Sequence, residues 1–192
     1  LKISERLNSI GFIPSGEDWP ALVRAVCHRL KPASVLDLGC GPCRALGTFK
    51  ELGVHRVVGV DGSVALLSNP HVSLHLKDVL LVDLEKSPIV FGKPFDLVWS
   101  YEVAEHIANE DNFVASMATN AAKEIVMTAA LPGQPGTGHV NCQPREHWID
   151  RFEKEGFTYR EDLTNLFKAL GPDRTGYFER NGMVFSRRKA TP

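Results

Sequence analysis

No stretch of this sequence is apolar for long enough to cross a bilayer, and no signal peptide is visible. An excess of charge of either sign is missing too. The 22 Lys and Arg residues nearly balance the 23 Asp and Glu residues, leaving a net charge of -1. That balance excludes a chain that draws nucleic acid or anionic lipid by bulk attraction. Only Arg187, Arg188 and Lys189 form a local basic run, which reads as a solvated end. Cysteine is sparse: Cys27, Cys40, Cys43 and Cys142 are the four present. A domain this large needs no disulfide staples, so a cytoplasmic or other reducing compartment is expected. Repeats and low-complexity tracts are absent. The first residue is Leu1 rather than Met, so a trimmed product or a domain excised from a longer chain is expected.

What is present is enough for one core. The 192 residues, 43% apolar and 23% charged, suit a single domain over 1–192, with 1–18 as a short N-terminal cap. Apolar positions recur at helical spacing from Ala21 to Leu30. Short apolar runs read as strands over Ala33–Leu38, Arg56–Val60, Asp78–Val82, Phe95–Ser100, Glu124–Ala129, Phe157–Glu161 and Met183–Arg187. Helices are expected over Arg44–Leu52, Ser63–Leu67, Val103–Met117 and Arg145–Glu155. This alternation predicts an α/β fold, doubly wound, with a mostly parallel sheet and helices on both faces. In such sheets a ligand sits beyond the carboxyl ends of the strands. The residues there are Asp37-Leu38-Gly39-Cys40-Gly41, Asp61, Asp83 and Ser100-Tyr101-Glu102, so three acids and a glycine turn share one edge.

Those residues select a cofactor type. Glycine at 39 and 41 allows positive φ and a close backbone approach by a ligand. Asp61 follows at the interval expected of an acid that grips ribose hydroxyls. A dinucleotide fingerprint would place a third glycine where this chain has Arg44, which weakens a pyrophosphate reading. Asp37 would repel a phosphate and suits a cationic amino-acid group. Asp83 is placed to accept from an adenine amino group, and polar groups around Tyr101, with Ser100, suit the amino-acid side. Singly, Asp61 also reads as a helix cap and Asp83 as a turn acid. Asp96, at the start of a buried strand, reads as structural.

At these residues a resemblance is plain. Val35-Leu36-Asp37-Leu38-Gly39-Cys40-Gly41-Pro42 resembles the first motif of class I S-adenosylmethionine-dependent methyltransferases. Val58-Gly59-Val60-Asp61-Gly62-Ser63 resembles their second strand with its ribose acid, and Val82-Asp83-Leu84 their adenine-side acid. Phe95 to Ser100 with Glu102-Val103-Ala104-Glu105-His106-Ile107 is similar to their fourth strand and following helix. The resemblance implies a Rossmann-like, seven-stranded sheet. It also implies an S-adenosyl-L-methionine site over Asp37, Gly39, Cys40, Gly41, Asp61, Gly62, Asp83, Leu84, Ser100 and Tyr101, with S-adenosyl-L-homocysteine as product. Gly62 departs from the family, which usually has a bulkier apolar residue beside the adenine; adenine packing is then either looser or supplied by another side chain such as Leu84.

Cys40-Gly41-Pro42-Cys43 also spells a dithiol redox motif. Its context argues otherwise, since Leu38-Gly39 stands where thioredoxin-like proteins have Trp, and the chain is much longer than that fold needs. Cys142, His139 and His147 lie near in sequence, but no second cysteine pair joins them at zinc-finger spacing. Glu102 and His106, a helical turn apart, could share a metal, but they read rather as a capping acid and a solvated or cofactor-side histidine, so no metal is expected.

The acceptor side is expected in 131–148, a loop and helix start. Gly138-His139-Val140-Asn141-Cys142 leads to a helix carrying Trp148, and small class I methyltransferases carry a similar segment. His139 is the candidate base or acceptor contact, oriented by Asn141; His106 is a second candidate base. Asn141, Trp148 and Glu102 are candidate acceptor contacts, with loop pinning by His139 and Asn141 and core packing by Trp148 as the alternative. A base is required only for an acceptor that is protonated at working pH. The expected partner is a methyl acceptor, O or N, in a small molecule or sugar. An RNA cap, a catalytically silent cofactor-binding module and, more remotely, a dithiol oxidoreductase stay open.

Overall fold

A computed structural model describes residues 19–63, 78–171 and 176–189. The expected cap over 1–18 and all but Ser63 of the helix expected over Ser63–Leu67 lie outside them. Among the described residues, α1 (Trp19–Leu30) leads into β1 (Ser34–Leu38), α2 (Arg44–Glu51), β2 (Arg56–Asp61), β3 (Val79–Leu81) and β4 (Phe95–Ser100). A single 3-10 turn at Ala104–His106 follows, then α3 (Glu110–Asn120), β5 (Ala121–Met127), α4 (Arg145–Lys154) and β6 (Phe157–Tyr159). The chain continues through α5 (Glu161–Leu170) and α6 (Tyr177–Asn181) to β7 (Met183–Arg187).

The strands form one seven-stranded sheet in the order β3-β2-β1-β4-β5-β7-β6. β1 pairs in parallel with both β2 and β4, so the strand order reverses beside β1. β3 and β5 extend the parallel set, and β7 runs antiparallel between β5 and β6. Strand parity splits the core in two. Leu36, Leu38, Val98, Ile125 and Met127 pack against Phe113 and Met117 of α3 and Trp148 and Phe152 of α4. Val35, Val57, Leu97, Trp99, Val126 and Val184 pack with Leu22 of α1, Phe49 of α2 and Phe167 of α5.

Polar groups lock the two ends of this sheet. Asp96 accepts from the Ala33 N–H at 2.8 Å and pairs with Lys123 at 2.9 Å, tying β4 to the start of β1 and to β5. Its structural reading therefore fits its contacts. At the carboxyl ends, Ser100 donates its hydroxyl to the Leu38 carbonyl at 2.8 Å.

Four expected elements differ. The helix expected over Val103–Met117 is two elements, Ala104–His106 and Glu110–Asn120. The Glu105 carbonyl, which a continuous helix would use internally, instead accepts from the Val140 and Asn141 N–H groups at 2.8 and 2.9 Å. A tertiary contact thus outcompetes a regular helical period. The fifth strand begins at Ala121 and ends at Met127, earlier than expected. The strand expected over Phe157–Glu161 stops at Tyr159, because Glu161 opens α5. The third strand is only Val79–Leu81, at the sheet's edge. α5 and α6 are additional to the helices expected from the sequence.

Candidate active site

The glycine turn wraps the end of β2. Gly39 and Cys40 both donate to the Val60 carbonyl, at 2.7 and 3.1 Å. Gly39 has φ +83 and Gly41 φ +47, conformations that disfavour a Cβ. The space beside them differs sharply. A Cβ on Gly39 would lie 2.3 Å from a Val103 methyl, whereas one on Gly41 would meet nothing within 4 Å. One glycine thus seats the turn against the chain after β4, and the other leaves an open backbone.

Asp61 anchors this turn. One carboxylate oxygen accepts from the Gly41 N–H at 2.8 Å and the other from the Ser63 N–H at 2.8 Å. Burial raises its acid above the ordinary value, against the lowering effect of these backbone donors. Asp37, at the end of β1, is 3% exposed. Burial, then the charge of Asp61, raises its acid well above the usual carboxylate range. Two buried acids beside an open glycine backbone form a site that a positively charged nucleoside ligand relieves electrostatically and a phosphate would aggravate. S-adenosylmethionine fits that chemistry. Asp83 accepts from the Glu85 N–H at 3.0 Å and is partly exposed beside Lys86. A Cβ on Gly62 would stand 3.6 Å from the Val82 carbonyl oxygen, so the position has room for a side chain.

Other expected cofactor contacts also have partners within the protein. Ser100 is 1% exposed, and its hydroxyl serves the β1–β4 seam. Leu84 is 5% exposed and packs in the core. Tyr101 stacks on Trp99, with ring centroids 6.1 Å apart. Cys40 and Cys43 are free thiols with sulfurs 3.5 Å apart, and Cys43 lies in the left-handed region at φ 59. The hydrogen bond with Cys43, then burial and the charges of Asp37 and Asp61, raise the Cys40 thiol well above its usual range. A redox dithiol needs the reverse, a stabilised thiolate.

The acceptor-side candidates gather around the segment after β4. Glu102 takes φ 53, and its N–H donates to Thr128 Oγ1 at 2.8 Å. Its carboxylate accepts from the Asn181 amide at 3.3 Å, and burial raises its acid. His106 Nδ1 meets the Gly138 carbonyl at 3.1 Å, and its ring lies edge-on to His139 with centroids 5.0 Å apart. Burial, reinforced by His139, lowers the His106 pKa. His139 Nδ1 lies 3.4 Å from Cys142 Sγ.

Two expected contacts need correcting. The Asn141 amide donates to the Ile107 carbonyl and to Glu110, each at 3.1 Å, so Cys142 rather than Asn141 is the neighbour that orients His139. Trp148 has no exposed surface and lies in the core, out of reach of an acceptor. His147 pairs with Glu110 at 3.0 Å rather than joining Cys142 and His139 in a metal set. The residue overlooked in sequence is Glu105, which is 0% exposed. Its spacing from Glu102 and its place next to His106 were visible in the motif, but nothing local marks it as inward-facing.

The strand order is that of a Rossmann-like fold, and the acids at its carboxyl edge form a candidate S-adenosylmethionine site. Residues 36–123, a little under half of the chain, match the family model of the methyltransferase domain. No curated protein sequence matches it significantly. Solved structures share its fold at low identity. The sugar N-methyltransferase KedS8 from Streptoalloteichus sp. ATCC 53650 is 17% identical, with 90% of this chain and 89% of that one covered and a TM-score of 0.67. Magnesium protoporphyrin IX methyltransferase from Synechocystis PCC 6803, with S-adenosylhomocysteine bound, is 15% identical, covering 88% and 80% at a TM-score of 0.61. An O-methyltransferase from a trans-AT polyketide multienzyme of Brevibacillus brevis, also with S-adenosylhomocysteine, is 16% identical, covering 88% and 72% at a TM-score of 0.60. Among the described residues no helix is long and apolar enough to cross a membrane.

Proposed function

We propose that this chain methylates an oxygen or nitrogen of a polar small molecule, of the sugar class, beside His106 and His139. The observation that carries the reading is the contact of Val103 with Gly39. It sets the cofactor turn directly against the segment bearing Glu102, Glu105 and His106. Asp37, Gly39, Gly41, Asp61 and Asp83 are the residues that would hold the cofactor. When bound, it supplies an electrophilic methyl group on a sulfonium. The protein's task is then to orient the acceptor, exclude water and manage one proton.

His139 is the acceptor-side residue in this reading. It sits on the loop between β5 and α4, is partly exposed, and has Cys142 beside one ring nitrogen. The backbone of that loop is pinned at Val140 and Asn141 to the Glu105 carbonyl, which fixes the height of His139 above the strand ends. The near-neutral net charge and the fold likeness to a sugar N-methyltransferase support a small polar acceptor over a polyanion.

The test is a panel of amino sugars, hydroxylated metabolites and capped RNA, with S-adenosylhomocysteine formation as readout. Turnover is expected with a member of the first two groups. His139→Ala should lower it by roughly 10²–10⁴ for a hydroxyl acceptor, with cofactor affinity nearly intact. Turnover confined to capped RNA would replace this reading with the RNA one. Cofactor binding without turnover on any class would favour a silent binding module.

A further inference from the structure

Glu105 is a buried acid whose nearest polar neighbours are Glu102 and the Ala130 backbone. It has no exposed surface, and neither carboxylate oxygen makes a well-formed hydrogen bond. A buried acid in that condition is costly unless a proton or a cation compensates it. Its surroundings are ligand groups. One donor atom each from Glu105, His106 and His139 lie within 4.8 Å of one another. Close by are the Glu102 carboxylate and the 1% exposed Asn181, whose amide oxygen is also buried without a hydrogen bond.

His106 is set up as a ligand. A carbonyl only accepts, so the contact with Gly138 places the proton of a neutral His106 on Nδ1 and leaves the Nε2 lone pair free. That is the arrangement by which a second contact orients a metal-bound imidazole. Space for the other ring is built into the loop as well. A Cβ on Gly136 would fall 2.0 Å from His139 Nε2, so a side chain at 136 would take up the space this ring occupies.

From this geometry we infer that Glu105, His106 and His139 bind a divalent first-row transition ion, with Glu102 as the adjacent carboxylate. Two imidazoles and a carboxylate suit such ions and leave coordination positions open. Ligands held about 2.1 Å from a small ion in a tetrahedral arrangement are roughly 3.4 Å apart. Closing the present span of up to 4.8 Å to that distance requires the His139 side chain to turn on its loop. This deepens the proposed function and rests on its placement of the acceptor: the ion would hold an acceptor oxygen, and His139 would hold the ion rather than act as a free base.

The test uses the full chain after chelator treatment, titrated with Mn²⁺ and followed by electron paramagnetic resonance. Mn²⁺ is the probe because soft thiols such as Cys142 compete poorly for it. Expected is one Mn²⁺ per chain, with affinity reduced more than about tenfold in both Glu105→Gln and His139→Ala. Calorimetric titration of the same samples with S-adenosylmethionine reports an intact cleft. If Glu105→Gln does not fold, His139→Ala decides alone. Absence of a saturable site in the wild type, or unchanged Mn²⁺ affinity in a folded His139→Ala variant, overturns the proposal. Stoichiometric Mn²⁺ binding with no effect of the metal on turnover would uphold the site and overturn its acceptor role. Mn²⁺ binding without any cofactor binding would instead sink the methyltransferase reading and leave the metal site standing.

Discussion

Gly39 and Val103 are in contact across the strand ends: a Cβ on Gly39 would lie 2.3 and 2.8 Å from the two Val103 methyl carbons. The first residue belongs to the turn after β1 and the second to the segment after β4, so one close approach couples the cofactor turn to the polar cluster. Gly39→Ala meets both this clash and the strain of a side chain at φ +83. The strain alone is about 1–2 kcal/mol. Expected are a lower Tm and a loss of S-adenosylmethionine affinity. Val103→Ala in the same chain should recover part of both, a coupling that a double-mutant cycle reads directly. Strict additivity of the two changes would show that the contact is not what limits position 39.

Asp61→Ala removes a carboxylate that accepts from the Gly41 and Ser63 N–H groups. Its loss disorders the glycine turn, and a hydrogen bond from a ribose hydroxyl to this carboxylate would itself be worth about 1.5–3 kcal/mol. Calorimetry should therefore show S-adenosylmethionine affinity reduced by at least roughly tenfold. Affinity within twofold of the wild type would remove Asp61 from the cofactor site.

Gly62→Ala should bind the cofactor more tightly. The added methyl would have ordinary van der Waals room, 3.6 Å from the Val82 oxygen. If it is covered by the adenine, the gain is about 0.8 kcal/mol, roughly fourfold in Kd. An unchanged Kd would place the adenine elsewhere.

Cys40 should react slowly with iodoacetamide at neutral pH. It is 7% exposed, and its thiol is held above the usual range by the Cys43 hydrogen bond, burial and nearby acids. Mass spectrometry of timed labelling checks this. Rapid, selective alkylation of Cys40 in folded protein would bring back the dithiol reading of Cys40-Gly41-Pro42-Cys43.

Asp96 should contribute to acid stability. Burial alone would raise its acid, but the hydrogen bond from Lys123 and the Ala33 N–H outweigh it, so its pKa lies below the ordinary 3.8. A lowered folded-state pKa stabilises the fold above the unfolded value, and that contribution disappears as pH falls through the folded one. Asp96→Asn should therefore lose stability at neutral pH and show a flatter fall in Tm below about pH 4. Parallel Tm curves for the two proteins would refute the assignment.

The parallel sheet and the acids at its carboxyl edge were legible in the sequence because they follow from local order. A short apolar run ends, a glycine turn or an acid follows, and parallel pairing must bring those ends to one edge. Asp37, Gly39, Gly41 and Asp61 could be named from such runs alone. The break in the helix expected over Val103–Met117 could not, since the Glu105 carbonyl leaves the helical pattern for donors at Val140 and Asn141. Ser100 and Trp148 looked available in sequence, but seam bonding and core packing consume them. Only the tertiary structure brought His139 to Glu105 and His106. Their meeting depends on a loop more than thirty residues further along the chain folding back over the strand ends. Periodicity reports which face a residue takes within its own element; it holds no information on which distant loop will cover that face.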